Sequence, residues 1–188
     1  MNLHSWYRLN IARFWLLFKR HATAKAVLAE LLANDPGHQL GLKMLGYLHA
    51  QDNNYSEAAR LFQLAMQANP GDADTHFNLG FAQQKLERHA AAIPVLESAV
   101  QLNASLDRAW FGLGLSYATI GRHEDAIAAY SRAAKLQPMN PHALYELGLQ
   151  YHILGQGEKL HGVIERLRQF DPAATAQLLK ATQRNSAG

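Results

Sequence analysis

The sequence predicts an all-α solenoid built from antiparallel helix pairs. Two observations carry this prediction: a repeat with a period of 34 residues, and a helical spacing of apolar residues inside each copy. The prolines show the period first, because four of the six fall on it: Pro36, Pro70, Pro138 and Pro172. A period of this length is typical of proteins in which each repeat packs only on its neighbours.

Small and large apolar residues keep the same period, and no insertion breaks it from residue 5 to residue 174. The glycine, leucine, alanine and large apolar columns are Gly46, Gly80, Gly114 and Gly148; Leu45, Leu79, Leu113 and Leu147; Ala24, Ala58, Ala92 and Ala126; and Leu28, Phe62, Leu96, Tyr130 and Ile164. A glycine inside a helix costs about 1 kcal/mol of helix propensity. The recurring glycines therefore indicate sites where two helices approach closely.

Residues 107–140 show how one copy is built. Trp110, Leu113 and Tyr117 form an apolar stripe with the spacing of a first helix. Gly121 then favours a left-handed turn that ends this helix. A second apolar stripe follows, so the predicted order in each copy is helix, short turn, helix, short turn.

This pattern resembles the tetratricopeptide repeat (TPR), which has the same period. The matching residues are Trp110, Leu113, Gly114, Tyr117, Gly121, Ala126, Tyr130, Ala133 and Pro138. The resemblance implies a right-handed superhelical solenoid with one degenerate N-terminal repeat and four clear repeats. We place these repeats at 1–38, 39–72, 73–106, 107–140 and 141–174. Residues 175–188 are expected to form the end of a capping helix and a disordered tail.

The composition fits a globular chain that does not bind nucleic acid. Of its 188 residues, 48% are hydrophobic and 18% are charged, which argues against disorder. The net charge of +3 comes from residues 1–38, which hold five basic and two acidic residues, whereas residues 39–188 hold thirteen of each. A nucleic-acid-binding protein would carry a broader basic surface.

The sequence contains no pattern that predicts catalysis, a cofactor or a metal site. Cysteine is absent, and no phosphate-binding glycine motif occurs. The segment from Gly114 to Ala118 is similar to a nucleophile elbow, but it falls inside a predicted helix rather than a strand-to-helix turn. His21, His89 and His123 share one column, so they lie in different repeats, too far apart to share an ion.

We therefore expect the function to lie on a surface, namely the concave groove that the first helix of each pair lines. The predicted groove residues lie beside the packing stripe. They are Lys43, Tyr47, Phe77, Asn78, Phe81, Arg108, Phe111, Leu115, Tyr145 and Leu149. Their aromatic rings favour a site for a peptide or an amphipathic helix of a partner protein, with partial burial of the rings between helices as the alternative.

TPR domains that bind the C-terminal carboxylates of heat-shock chaperones use a clamp of basic and amide side chains. Lys43, Asn78 and Arg108 match this clamp in residue type, whereas Tyr47 and Gly112 replace an asparagine and an arginine. Because only three of the five positions match, a mostly apolar groove with a cationic spot is favoured over a complete clamp.

The N-terminal segment combines bases with large rings. Its predicted interaction residues are Trp6, Arg8, Arg13, Phe14, Trp15 and Phe18. Three interpretations stay open: the rings pack on residues 39–68, they form a surface for homo-oligomerisation, or they lie in a membrane interface.

The combined prediction is a non-catalytic scaffold, adaptor or assembly chaperone that binds another protein. The alternative is a membrane-peripheral or self-associating assembly factor that acts through the N-terminal helix. A cytoplasmic location is expected, with the periphery of a membrane as the alternative.

Overall fold

The computed structural model describes residues 3–184, which form eleven α-helices and no strand. The helices are α1 (Leu3–Leu17), α2 (His21–Asn34), α3 (Gln39–Gln51), α4 (Tyr55–Ala68), α5 (Ala73–Lys85), α6 (His89–Leu102), α7 (Asp107–Thr119), α8 (His123–Leu136), α9 (Pro141–Ile153), α10 (Gly157–Arg168) and α11 (Pro172–Arg184). The prediction of an all-α fold is confirmed.

The chain divides into two compact units, Met1–Ala91 and Ala92–Gly188. In the first unit α1 packs on α2, α2 on α3, α3 on α4, and α4 on α5. In the second unit α7 packs on α8, α8 on α9, and α9 on α10, while α11 packs on both α9 and α10. Within each unit these consecutive helices thus pack on one another, as the repeat predicts.

The turn inside each helix pair contains one residue in the left-handed region. Within the described residues, these are Lys19, Asn53, Glu87, Gly121 and Gly155, with φ of 55°, 59°, 59°, 79° and 66°. They are spaced by the same 34 residues as the other columns. The left-handed turn predicted at Gly121 is confirmed. At the other turns without glycine the same backbone conformation costs on the order of 1 kcal/mol.

The glycine column marks the crossing of the two helices in a pair. A Cβ placed on Gly46 would lie 2.8 Å from the ring of Phe62, and one on Gly114 would lie 2.5 Å from the ring of Tyr130. Both rings come from the second helix of the pair and are almost fully buried. The prediction of a close approach at the recurring glycines is therefore confirmed at these two positions.

Helix α11 covers the end of the second unit. It begins at Pro172, and Leu178 is fully buried against α9, where a Cβ on Gly148 would lie 2.6 Å from its Cδ2. The exposed side of α11 carries Gln177, Lys180 and Gln183. This arrangement agrees with a capping role. The predicted disordered tail, residues 185–188, lies outside the described residues.

Candidate partner-binding site

In the first unit, five of the predicted groove residues lie on the first helices of two pairs. Lys43 and Tyr47 belong to α3, and Phe77, Asn78 and Phe81 belong to α5. Tyr47 is 57% exposed and Phe81 is 37% exposed, while the other three are half-buried. We call the surface that these five residues form the α3–α5 face.

A cavity of about 400 Å³ opens on the α3–α5 face. It is lined by Leu16, His21, Leu40, Lys43, Met44, Tyr47, Leu48, Gln51 and Asn78. The structure thus brings together Lys43, Tyr47 and Asn78, which the sequence predicted as groove residues. Phe77 and Phe81 do not line this cavity; their ring centroids lie 6.4 Å apart, and the Phe81 ring also meets Tyr55 edge to face at 6.3 Å.

The positive charge of Lys43 is paired inside the protein. Its Nζ lies 2.5 Å from Oδ2 of Asp72, the N-cap residue of α5. The same carboxylate accepts hydrogen bonds from Gln39 Nε2 at 2.8 Å and Thr75 Oγ1 at 2.7 Å. Burial acts to raise the pKa of Asp72, but the hydrogen bonds from Lys43 and Thr75 outweigh burial and hold this pKa below its ordinary value. Asp72 is therefore ionised at neutral pH and compensates Lys43.

In the second unit, Arg108, Phe111 and Leu115 lie on α7, and Tyr145 and Leu149 lie on α9. Leu115 is 38% exposed. The ring of Phe111 is half-buried, with its centroid 5.4 Å from that of Tyr130. Phe111 therefore fits the alternative interpretation, in which the groove rings are partly buried between helices.

A second cavity, of about 450 Å³, opens between α9 and α11. It is lined by Pro141, His142, Tyr145, Glu146, Asp171, Ala173, Ala174 and Gln177. Burial raises the pKa of Glu146, an effect that the nearby His142 partly offsets. The carboxyl groups of Glu146 and Asp171 make this cavity more polar than the cavity on the α3–α5 face.

The sequence analysis missed several lining residues. Leu40 could have been found, because it stands in the same 34-residue column as His142, which lies at the entry of α9. Asp171 and Gln177 could not, because they lie near or beyond the end of the last complete repeat. Asp171 also accepts a hydrogen bond from the backbone N–H of Ala174 at 2.8 Å, which fixes the start of α11.

The tetratricopeptide repeat family model matches residues 10–73, 77–141 and 121–158. These matches span most of the chain. The chain belongs to the tetratricopeptide repeat family. Repeats of this family are generally non-catalytic interaction modules, so membership supports a role as a protein–protein interaction scaffold.

Solved TPR structures share the fold. YrrB, a TPR protein with an unusual peptide-binding site, is 23% identical, with a TM-score of 0.83 over 92% of this chain and 90% of its own. MamA is 21% identical, with a TM-score of 0.79 over 98% of this chain and 96% of its own. MamA residues 41 to the end from Desulfovibrio magneticus RS-1 are 21% identical, with a TM-score of 0.79 over 96% of this chain and 98% of their own. No curated protein matches the chain in sequence.

The N-terminal segment of this TPR chain is only partly packed. Trp15 is half-buried and packs against the core of the first unit. Trp6, Phe14 and Phe18 are 50%, 51% and 62% exposed, so packing within the chain leaves at least half of each side chain open. Among the basic residues of α1, Arg8 pairs with Glu30 and Arg13 is exposed.

Within the described residues, burial strongly raises the pKa of two tyrosines, Tyr117 and Tyr130. Burial and the carboxylate of Glu97, whose Oε1 lies 2.5 Å from the Tyr117 hydroxyl, raise the pKa of Tyr117 to about 12. A phenol with so high a pKa is a poor acid or base at neutral pH. The segment from Gly114 to Ala118 lies inside α7, as predicted.

Two features are absent from residues 3–184. In this part of the chain no group of three or more histidine, aspartate or glutamate side chains could hold a metal ion. None of the described helices is both long and apolar enough to cross a bilayer.

Proposed function

We propose that this TPR chain binds an extended peptide or an amphipathic helix of a partner protein, with the α3–α5 face as its principal site. The observation that carries the proposal is the half-exposed ring of Tyr47 beside a cavity that Lys43 and Asn78 also line. An aromatic ring offers a large contact area and has few rotatable bonds to immobilise, so binding costs little side-chain entropy.

The chemistry of the face indicates an apolar anchor in the ligand. Leu40, Met44 and Leu48 supply the apolar wall of the cavity, and Asn78 supplies an amide that can hydrogen-bond a peptide backbone. Because Asp72 compensates Lys43, the face offers less attraction to an acidic ligand than the sequence suggested. We therefore favour apolar recognition over the carboxylate clamp.

The fold similarity to YrrB, a TPR protein with a peptide-binding site, supports the choice of a peptide-like ligand. A scaffold, an adaptor and an assembly chaperone would all use such a face. The carboxyl groups in the cavity between α9 and α11 would complement a basic side chain of a ligand.

The proposal can be tested with a displayed-peptide library selected on the wild-type protein. Selected peptides are then titrated against a Tyr47→Ser, Phe81→Ser variant. Both side chains are exposed, so the variant should fold normally, which circular dichroism checks. We expect the dissociation constant of the variant to rise about tenfold or more. Truncating an aromatic anchor removes about 1.4 kcal/mol or more of binding free energy.

The matched control is a Leu136→Ser, Met139→Ser variant, which removes two exposed apolar side chains outside the predicted groove. It should bind the selected peptides as the wild type does. Equal affinities of the wild type and the Tyr47, Phe81 variant would refute the assignment of the α3–α5 face.

A further inference from the structure

Helix α1 has an apolar face on the side away from its core contacts. Ser5, Leu9 and Ala12 are buried and face the first unit. The opposite side of the helix, with Phe18 directly after its end, presents six large apolar residues that are between 50% and 82% exposed: Leu3, Trp6, Tyr7, Phe14, Leu17 and Phe18. We call this surface the outer α1 face.

The 34-residue repeat shows what kind of neighbour the outer α1 face lacks. In the later repeats, the residues in the columns of Tyr7 and Phe14 are all buried: Gly41, Thr75, Ala109 and Ala143 for Tyr7, and Leu48, Ala82, Ser116 and Gln150 for Phe14. Tyr7 and Phe14, by contrast, are 58% and 51% exposed.

Two contacts identify the element that covers these columns. A Cβ on Gly41 would lie 2.9 Å from Cδ2 of Leu31, which belongs to α2. Gln150 of α9 hydrogen-bonds His123 of α8 at 2.8 Å. In both cases the covering element is the second helix of the preceding pair. Within residues 3–184 no helix covers this column of α1, since Tyr7 and Phe14 are more than half exposed.

The two ends of the repeat array differ in polarity. The exposed side of α11 is polar, with Gln177, Lys180 and Gln183, as expected of a terminal repeat that must remain in water. The outer α1 face is apolar and aromatic. A second copy of this chain can therefore bury the outer α1 face against its own, whereas α11 offers no apolar partner. Pairing of two identical faces gives a closed dimer rather than a filament.

We propose that two copies of this chain form a two-fold dimer through antiparallel packing of their outer α1 faces. Six large side chains exposed to this degree present roughly 800 Å². This area is close to the ~800 Å² per partner that a standard stable interface buries. The proposal does not rest on peptide binding at the α3–α5 face.

The position of Asn10 sets the register of the pair. Asn10 lies midway between Leu3 and Leu17, and its Nδ2 donates to the carbonyl of Trp6 within the helix. With the two-fold axis at Asn10, Leu17 of one copy meets Leu3 of the other. Phe14 of one copy then lies against a cavity of about 480 Å³ on the other copy. This cavity is lined by Leu3, His4, Trp6 and Tyr7. A single polar residue at the centre of an apolar helix contact is known to specify register.

Charge opposes the dimer weakly and gives it a distinctive salt dependence. Arg13, Lys19 and Arg20 are exposed, and within residues 3–184 none of them pairs with an acidic side chain. Arg13 lies at the edge of the outer α1 face and the other two follow α1, so dimerisation brings like charges nearer without burying them. Salt screens such repulsion beyond about 8 Å at physiological ionic strength. The dimer should therefore tighten as salt rises.

The first test measures association by sedimentation equilibrium over a range of protein and salt concentrations. We expect a monomer–dimer equilibrium, and a dissociation constant raised about tenfold or more by Tyr7→Ser together with Phe14→Ser. Met139→Ser together with Ile153→Ser removes two exposed apolar side chains elsewhere and should leave the constant unchanged. Circular dichroism verifies that both variants are folded.

The second test examines the register and uses the absence of cysteine from the sequence. Asn10→Cys places one sulfur from each copy at the two-fold axis, so mild oxidation should give a covalent dimer. Ala29→Cys, on the exposed side of α2, should give none. A chain that is monomeric at every concentration, or a dimer that both Tyr7 and Phe14 substitutions leave intact, would overturn the proposal.

A lipid surface is the competing occupant, and the same protein distinguishes it. Vesicles of phosphatidylcholine with phosphatidylglycerol are mixed with the chain and floated on a density gradient. Flotation that depends on Tyr7 and Phe14, weakens with salt and occurs without a dimer in solution would assign the outer α1 face to anionic lipid and refute the dimer.

Discussion

Asp72 is the residue on which the polar side of the α3–α5 face depends. Its carboxylate caps α5 and accepts hydrogen bonds from Lys43, Gln39 and Thr75. These contacts join the first helix of one repeat to the start of the next. The lysine that the sequence suggested as a ligand contact is thus also a structural contact within the protein.

This role predicts a pH-dependent effect of Asp72→Asn. Asparagine keeps the shape and the capping ability but loses the charge. The folded-state pKa of Asp72 lies below its ordinary value of 3.8, so the stability that its charge contributes is present above that value and is lost as the pH falls through the folded-state pKa. We expect the variant to lose roughly 1–2 kcal/mol at neutral pH. The loss should shrink well below pH 3.8.

Urea denaturation of the variant and the wild type, at neutral pH and well below pH 3.8, measures the loss of stability under each condition. Asp125→Asn serves as the control, because Asp125 pairs with Arg122 at the exposed surface and such pairs contribute little. A loss of equal size for Asp72→Asn at both pH values would contradict the assigned role of the charge.

At the scale of the helices, the repeat was sufficient to predict the fold. Proline and glycine mark the ends of helices locally, and a fixed period transfers the boundaries seen in residues 107–140 to every other copy. Two of the five left-handed turns contain glycine, and Asn53 is of a type that tolerates this conformation, whereas Lys19 and Glu87 give no local signal.

The partner-binding surface was less predictable, because it depends on contacts between distant residues. The pairing of Lys43 with Asp72 spans 29 residues and requires the packing of α3 beside α5. The exposure of Trp6, Phe14 and Phe18 is equally invisible in the sequence, since the sequence does not show which large side chains of this segment are covered by neighbouring helices. Sequence analysis therefore gave the candidate positions, and packing decided which of them are accessible.

The approach of α7 to α8 predicts opposite effects for two glycine substitutions. Gly114→Ala would place a Cβ 2.5 Å from the ring of Tyr130, which is fully buried and has no room to move. Overpacking of this kind costs roughly 1–3 kcal/mol. Gly162→Ala in α10 meets no atom within 4 Å. It should stabilise the protein by about 0.5–1 kcal/mol, because alanine is the better helix former.

Thermal and urea unfolding of the two variants checks this pair. Both substitutions add the same methyl group to a helix, so the helix propensity gained is the same and the difference in stability reports packing alone. If both variants were more stable than the wild type, the contact between α7 and α8 would tolerate a side chain, and the reason given for the glycine column would be wrong.

At the scale of the whole molecule, the two proposals combine into a bivalent binder. A dimer formed through the outer α1 face uses Leu3, Tyr7 and Phe14, whereas the proposed peptide site uses Tyr47 and Asn78. The two surfaces share none of these residues. Each dimer would therefore carry two copies of the α3–α5 face, which suits a scaffold that holds several partner molecules together.

Bivalency predicts that affinity depends on the density of the immobilised ligand. A peptide selected on the wild type is attached to a biosensor surface at low and at high density. The wild type should dissociate roughly 100-fold more slowly from the dense surface, because one site holds the other near its ligand. The Tyr7→Ser, Phe14→Ser variant should bind the sparse surface equally well but gain nothing at high density. The Tyr47→Ser, Phe81→Ser variant should bind neither surface tightly.

A density effect that survives the Tyr7 and Phe14 substitutions would show that the two binding sites lie on one chain. No density effect for the wild type would show that the dimer cannot engage two ligands at once.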